Sequence, residues 1–159
     1  MSDRIFTAAL RGQLKSLEKL LEEGVDPNTV NEVGYTPTMA AAHDGRVDCL
    51  KLLISTGANV NLADDSGRTA LINAVQHSTV ETVRLLLDQG SNVNHQTELG
   101  HSPLMHVPFN NYPPTDCVEL AGLLIENGAD IRATDKTGKT ALDFAKSKSR
   151  EDLFEILST

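Results

Sequence analysis

A period limits this chain more than any other feature. Leu-Leu pairs followed by glycine recur as Leu20-Leu21 with Gly24, Leu52-Leu53 with Gly57, Leu85-Leu86 with Gly90, and Leu123-Leu124 with Gly128. These glycines step by 33, 33 and 38 residues. A second series, Gly34, Gly67, Gly100 and Gly138, makes the same steps. Self-similarity at such a period belongs to stacked supersecondary units that cannot bury their apolar faces alone. The shared jump to 38 means five extra residues inside the fourth unit.

Each unit repeats one grammar. After the second glycine series come Tyr35-Thr36-Pro37, Arg68-Thr69-Ala70-Leu71, His101-Ser102-Pro103-Leu104 and Lys139-Thr140-Ala141-Leu142. A run of small residues such as Ala40-Ala41-Ala42 follows, which lets two helices approach closely. Gly12, Gly45, Ser78, Asn111 and Ser149 then break the chain. The next stretch spaces apolar residues by three and four, as in Val47, Leu50, Leu53 and Ile54, and reads as one face of a second helix. A glycine ends that helix, as a left-handed cap allows. A polar link such as Ala58-Asn59-Val60-Asn61 leads onward.

Gly34-Tyr35-Thr36-Pro37 with Ala41-Ala42, followed by Gly57-Ala58-Asn59-Val60-Asn61, resembles the ankyrin repeat. Gly90-Ser91-Asn92-Val93-Asn94 and Gly128-Ala129-Asp130-Ile131 extend the resemblance over nearly the whole chain. It implies an all-α solenoid of helix-turn-helix units with β-turn or hairpin fingers between them. The boundaries are expected at 1–30, 31–63, 64–96, 97–134 and 135–159, as one domain. The first unit lacks the Gly-x-Thr-Pro opening, and Ser2 or Asp3 is placed to cap its helix. The last carries Lys146, Lys148 and Arg150 before a final helix, so both ends read as polar caps of a whole array. In the family a histidine usually ties turn to helix. Met39, Ile72, Met105 and Asp143 stand in that slot here, and some loss of stability is expected.

Composition narrows the function. The net charge of -8 disfavours nucleic acid and anionic lipid, and suits a neutral or basic protein partner. No basic-apolar leader opens the chain, and no stretch reaches the roughly 18 to 20 apolar residues of a membrane span. Cys49 and Cys117 lack metal-ligand spacing and are too few for a disulfide scaffold, so a cytoplasmic monomer with buried thiols is expected. The five histidines form no His-x-x-x-His pair, and the turn pattern should separate the nearest two, His101 and His106. No nucleophile stands beside a base and no glycine-rich phosphate loop is present, so neither enzymatic activity nor a cofactor is expected. Asn61 and Asn94, eight residues after Leu53 and Leu86, resemble asparaginyl-hydroxylase sites of eukaryotic ankyrin proteins, or else bond the hairpin backbone.

The fourth unit departs most. Its first helix reads His106-Val107-Pro108-Phe109-Asn110-Asn111-Tyr112-Pro113-Pro114. Pro108 should cut that helix short, and Pro113-Pro114 should stand as a stiff extended loop. This unit has five acidic residues, Glu98, Asp116, Glu119, Glu126 and Asp130, against one basic residue, Arg132. It also exposes Phe109 and Tyr112, although aromatics make up only 4% of the chain. The resemblance places partner contacts at finger tips and at the ends of the inner helices. These positions are Tyr35, Arg68, Leu99 and His101 in the fingers, and His43, Gln76, His77, Phe109 and Asn110 at the helix ends, with Tyr112 in the adjoining loop. The expected function is non-catalytic binding of a protein through the concave face and fingers, as an inhibitor or immunity-type binder. An adaptor joining two proteins, or a small-molecule or enzymatic role at the insertion, is the alternative.

Overall fold

A hydroxyl before a proline decides where an inner helix begins. Thr36 accepts the Met39 N–H at 3.1 Å, and Pro37 occupies the first helical position, where no N–H is needed. In the computed structural model, which describes residues 3–77, 79–110 and 113–158, the described residues fall into two compact units. These are Met1–Ser91 and Asn92–Thr159. The architecture is all-α, with no strand among the described residues.

The first unit holds α1 (Asp3–Leu10), α2 (Leu14–Glu22), α3 (Pro37–His43), α4 (Val47–Ser55), α5 (Ala70–His77) and α6 (Val80–Asp88). The inner helices α1, α3 and α5 pack side by side, and α2, α4 and α6 back them. Buried Ala40, Ala41, Ala42 and Ala74 supply the close approach, while Leu17, Leu50, Leu53 and Leu86 fill the space between the layers. Met39 and Ile72, in the slot where the family has histidine, are wholly buried. Each contributes about 1.5–3 kcal/mol of apolar burial at that position.

Turns, rather than paired strands, make the fingers. Asn31 and Asp64 each accept two backbone N–H groups of their own loop, from Val33 and Tyr35 and from Ser66 and Arg68. In the second unit Thr97 accepts the His101 N–H, and Asp135 accepts those of Thr137 and Lys139. The only pairing of strand type among the described residues is an isolated bridge between Ala63 and Thr69. Successive fingers are stitched through the backbone: Asp65 N–H donates to the Val33 carbonyl at 3.0 Å, and Lys136 N–H to that of Leu99 at 3.1 Å. That approach explains two glycines. Gly34 and Gly100 have φ of +74° and +83°, and a Cβ on Gly100 would stand 2.8 Å from the Lys136 nitrogen.

Asparagines join the loops behind the helices. Asn28 donates to the Gly57 carbonyl at 3.1 Å and accepts the Asn59 N–H at 2.7 Å. Asn61 donates to Gly90, and Asn94 bridges Gly128 and Asp130 in the same manner. The reading that Asn61 and Asn94 bond backbone holds in kind, but the backbone is that of the next loop in the stack, not of their own hairpin.

The second unit holds α7 (Pro103–His106), a 3-10 turn at Val107–Phe109, α8 (Pro114–Glu126), α9 (Ala141–Ser147) and a 3-10 turn at Glu151–Leu153. Pro108 ends α7 after four residues, as its missing N–H requires. The expectation for Pro113-Pro114 needs correction. Pro113 is extended at φ -50° and ψ 146°, but Pro114 is the first residue of α8. Proline suits that position because the first N–H groups of a helix have no intrahelical partner. Helix α8 therefore has 13 residues where α4 and α6 have nine, so most of the insertion is an added helical turn rather than loop. The expected final helix is not an α-helix: the 3-10 turn buries Leu153 and the hydrogen-bonded turns after it bury Leu157. Asp143 forms a reciprocal capping box with Thr140, so the polar residue in the histidine slot ties turn to helix here.

An arginine closes an inner helix in each unit. Arg46 Nε donates to the Leu10 carbonyl at 3.0 Å, and Arg150 Nη1 to the Asn110 carbonyl at 3.1 Å. Both receive a carbonyl orphaned at a helix end. Of the two predicted caps of α1, Ser2 lies outside the described residues and Asp3 is the first helical residue.

Candidate functional site

Within the first unit, the fingers and the inner-helix ends carry six polar residues, Tyr35, His43, Asp44, Arg68, Gln76 and His77. His43 ends α3 and His77 ends α5, and their rings stack with centroids 4.4 Å apart and an interplanar angle of 29°. His43 Nδ1 lies 2.7 Å from Asp44 Oδ1. Partial burial holds His77 below the ordinary imidazole range, with His43 and Arg68 adding to the effect and Asp44 opposing it. Tyr35 is half-buried, and its hydroxyl donates to the Met39 carbonyl at 3.2 Å. Its pKa is pushed up to about 12, first by desolvation and then by Asp44 and Asp64, so it stays neutral. Arg68 is exposed and Gln76 is half-buried.

Within the second unit, aromatic rings and lysines form a different surface. His101 stands in the finger with its ring 5.5 Å from His106 and 5.2 Å from Phe144, both edge-on. Its Nε2 lies 3.5 Å from Asp135 Oδ2. The expectation that the turn separates His101 from His106 is thus corrected: the His101 ring in the finger meets the ring of the last residue of α7. Phe109 and Phe144 pack at 5.4 Å. Lys148 Nζ lies 4.8 Å from the Phe109 ring centroid, and Lys139 Nζ 6.0 Å from that of Phe144. Leu99, at the finger tip, is 64% exposed and Phe109 is 41% exposed.

Two expected contact residues fare differently. Asn110 is buried, with its carbonyl held by Arg150. Tyr112 lies outside the described residues. Residue-by-residue reading missed Phe144, whose signal was its rarity as one of four phenylalanines in the chain. Lys139 and Lys148 fall at finger and helix-end positions by the period, but nothing local marks Lys148 as lying over Phe109, a ring from another element.

Chemistry beyond binding finds little here. Among the described residues, no group of three His, Cys, Asp or Glu side chains is placed to hold a metal ion. Cys49 and Cys117 are buried and form no disulfide, and burial pushes the Cys49 thiol up, away from its reactive form. No described helix is long and apolar enough to cross a membrane.

A family model described as ankyrin repeats in three copies matches residues 5–97. No curated protein matches the chain. The match takes in the first unit and the link into the second, where Asn28, Asn61 and Asn94 recur at intervals of 33. With more than half of its length so matched, the chain belongs to the ankyrin-repeat family, whose repeats are protein–protein interaction modules and typically non-catalytic.

Proposed function

We propose that this chain binds a partner protein through its finger tips and inner-helix ends and acts by covering part of that partner, as an inhibitor or immunity-type binder does. The supporting observation is where apolar side chains remain exposed. Six large ones do so among the described residues. Leu10 and Phe109 stand at inner-helix ends, and Val33 and Leu99 at finger tips. Only Leu14 and Val30 lie elsewhere. Within each unit, exposed apolar side chains at these repeat positions mark an interaction surface, whereas scattered ones need no explanation. The repeat boundaries at 1–30, 31–63, 64–96, 97–134 and 135–159 belong to the same reading, as does a monomeric chain in the reducing cytoplasm, which its two reduced, buried cysteines suit.

The test compares captured proteins. The tagged chain is cross-linked in its own cells beside a Val33→Asp, Leu99→Asp variant and an outer-helix control, Glu119→Lys. A partner held by the chain and the control, but reduced about tenfold or more by the face variant, is expected. Equal capture by the face variant overturns the reading. If the partner is an enzyme, equimolar addition of this chain lowers its activity; unchanged activity removes the inhibitory role.

A further inference from the structure

Resting on the reading of a protein partner, we infer that the second unit receives an acidic segment carrying an apolar side chain, seated on Phe109 and Phe144 between Lys139 and Lys148. The net charge of -8 points toward a basic partner, but charge is distributed by element. Asp116, Glu119 and Glu126 lie on α8, and Asp130 in the loop after it. The last finger, α9 and its C-cap instead carry Lys136, Lys139, Lys146 and Lys148.

The nearby carboxylates are occupied. Asp135 Oδ1 accepts from the Thr137 backbone and hydroxyl and from the Lys139 backbone, and its Oδ2 faces His101. Asp143 Oδ2 accepts from the Thr140 backbone and hydroxyl, and Asp152 pairs with Arg150 in two contacts. Glu98, in the finger beside Leu99, and the exposed Glu151, beside Asp152, are the remaining acids of these elements. Lys139 and Lys148 are exposed, and neither forms an ion pair among the described residues.

A lysine over a ring face keeps outward N–H donors for a carboxylate. The exposed part of Phe109 offers apolar area to a leucine-like or aromatic side chain set among those carboxylates. A short segment senses only charges within a Debye length, about 8–10 Å at ordinary salt. A long polyanion also meets the repulsion of the whole acidic chain, which favours a peptide over a nucleic acid.

Selection of a random short-peptide library on the full chain tests this. Enriched sequences are expected to combine Asp or Glu with an apolar residue. Their binding should weaken with salt, fall about tenfold or more for Lys139→Glu with Lys148→Glu, and return in large part for Lys139→Arg with Lys148→Arg. Circular dichroism checks that these exposed changes leave the helices intact. Enrichment of basic or uncharged peptides, preference for oligothymidylate over peptides, salt-dependent self-association of the chain, or binding indifferent to charge reversal overturns the inference. Peptides lost only in the Val33→Asp, Leu99→Asp variant leave protein binding standing and remove the acidic docking point. No enriched peptide and no captured partner removes both.

Discussion

The first unit keeps the period and the second breaks it, yet both use the same joints. Inner helices α3 and α5 have seven and eight residues, whereas α7 has four before its 3-10 turn. Outer helices α4 and α6 have nine residues and α8 has thirteen. In both units an asparagine bridges successive loops, a finger N–H reaches the preceding finger's carbonyl, and an arginine closes an inner helix. The stack therefore depends on these hydrogen-bonded joints more than on helix length. The surfaces diverge: stacked imidazoles with Tyr35 and Arg68 in the first unit, phenylalanines beneath lysines in the second. One scaffold presents two chemistries because finger and helix-end side chains carry little of the core.

Cavities in the two cores should separate the units most strongly. Leu86→Ala in the first and Leu120→Ala in the second each remove a wholly buried side chain and should cost about 2–5 kcal/mol. Hydrogen exchange should show the larger loss of protection inside the altered unit. Equal loss through both would contradict their separate compactness.

The joints should give a graded result. Gly100→Ala forces a left-handed alanine and drives its Cβ to 2.8 Å from the Lys136 backbone, which should cost about 2–4 kcal/mol. The nearest atom to a Cβ on Gly34 is the movable Asp65 carboxylate, at 3.0 Å, so Gly34→Ala should cost about 1–2 kcal/mol. Denaturant unfolding of both variants ranks them, and a reversed order would show that finger stitching is not what requires Gly100.

The smallest expected effect is a pH dependence confined to the first unit's histidine stack. His77 is depressed from its ordinary value of 6.5 in the folded state. As pH falls, the unfolded chain takes up the proton first. The contribution to stability is thus present above the unfolded value and lost as pH drops through the folded one. Between about pH 7 and about pH 5.5 the Tm should fall less for His77→Gln than for the unaltered chain. Asp135, Asp143 and Asp152 are held below the ordinary carboxylate range, chiefly by hydrogen bonds from Lys139, Thr140 and Arg150, so their losses come at lower pH. Identical slopes would show that the stack is without consequence.

Much of the fold was legible because its causes are local. Thr36-Pro37 starts a helix through contacts within four residues, and the paired glycine series marks the outer-helix ends and the finger turns. The candidate surface was legible only by position. Finger and helix-end residues follow from the period, but whether such a side chain is exposed depends on neighbours about forty residues away. Asn110 shows this, since Arg150 approaches it. Phe144 shows the converse, because its partners Phe109 and His101 come from other elements. The misread prolines had a local reason: the second proline of a pair both forbids helix interior and suits a helix start, and sequence alone does not rank the two.

By itself, then, the sequence determined the repeat, most of its helix starts and stops, the unit that holds the insertion and the apolar seams between layers, all of which rest on chain-local geometry. Tertiary structure alone decided that the insertion becomes a helical turn, that His101 and His106 meet, and that Lys148 covers Phe109 from another segment. Those outcomes depend on through-space distances between segments, and a linear period does not carry that information.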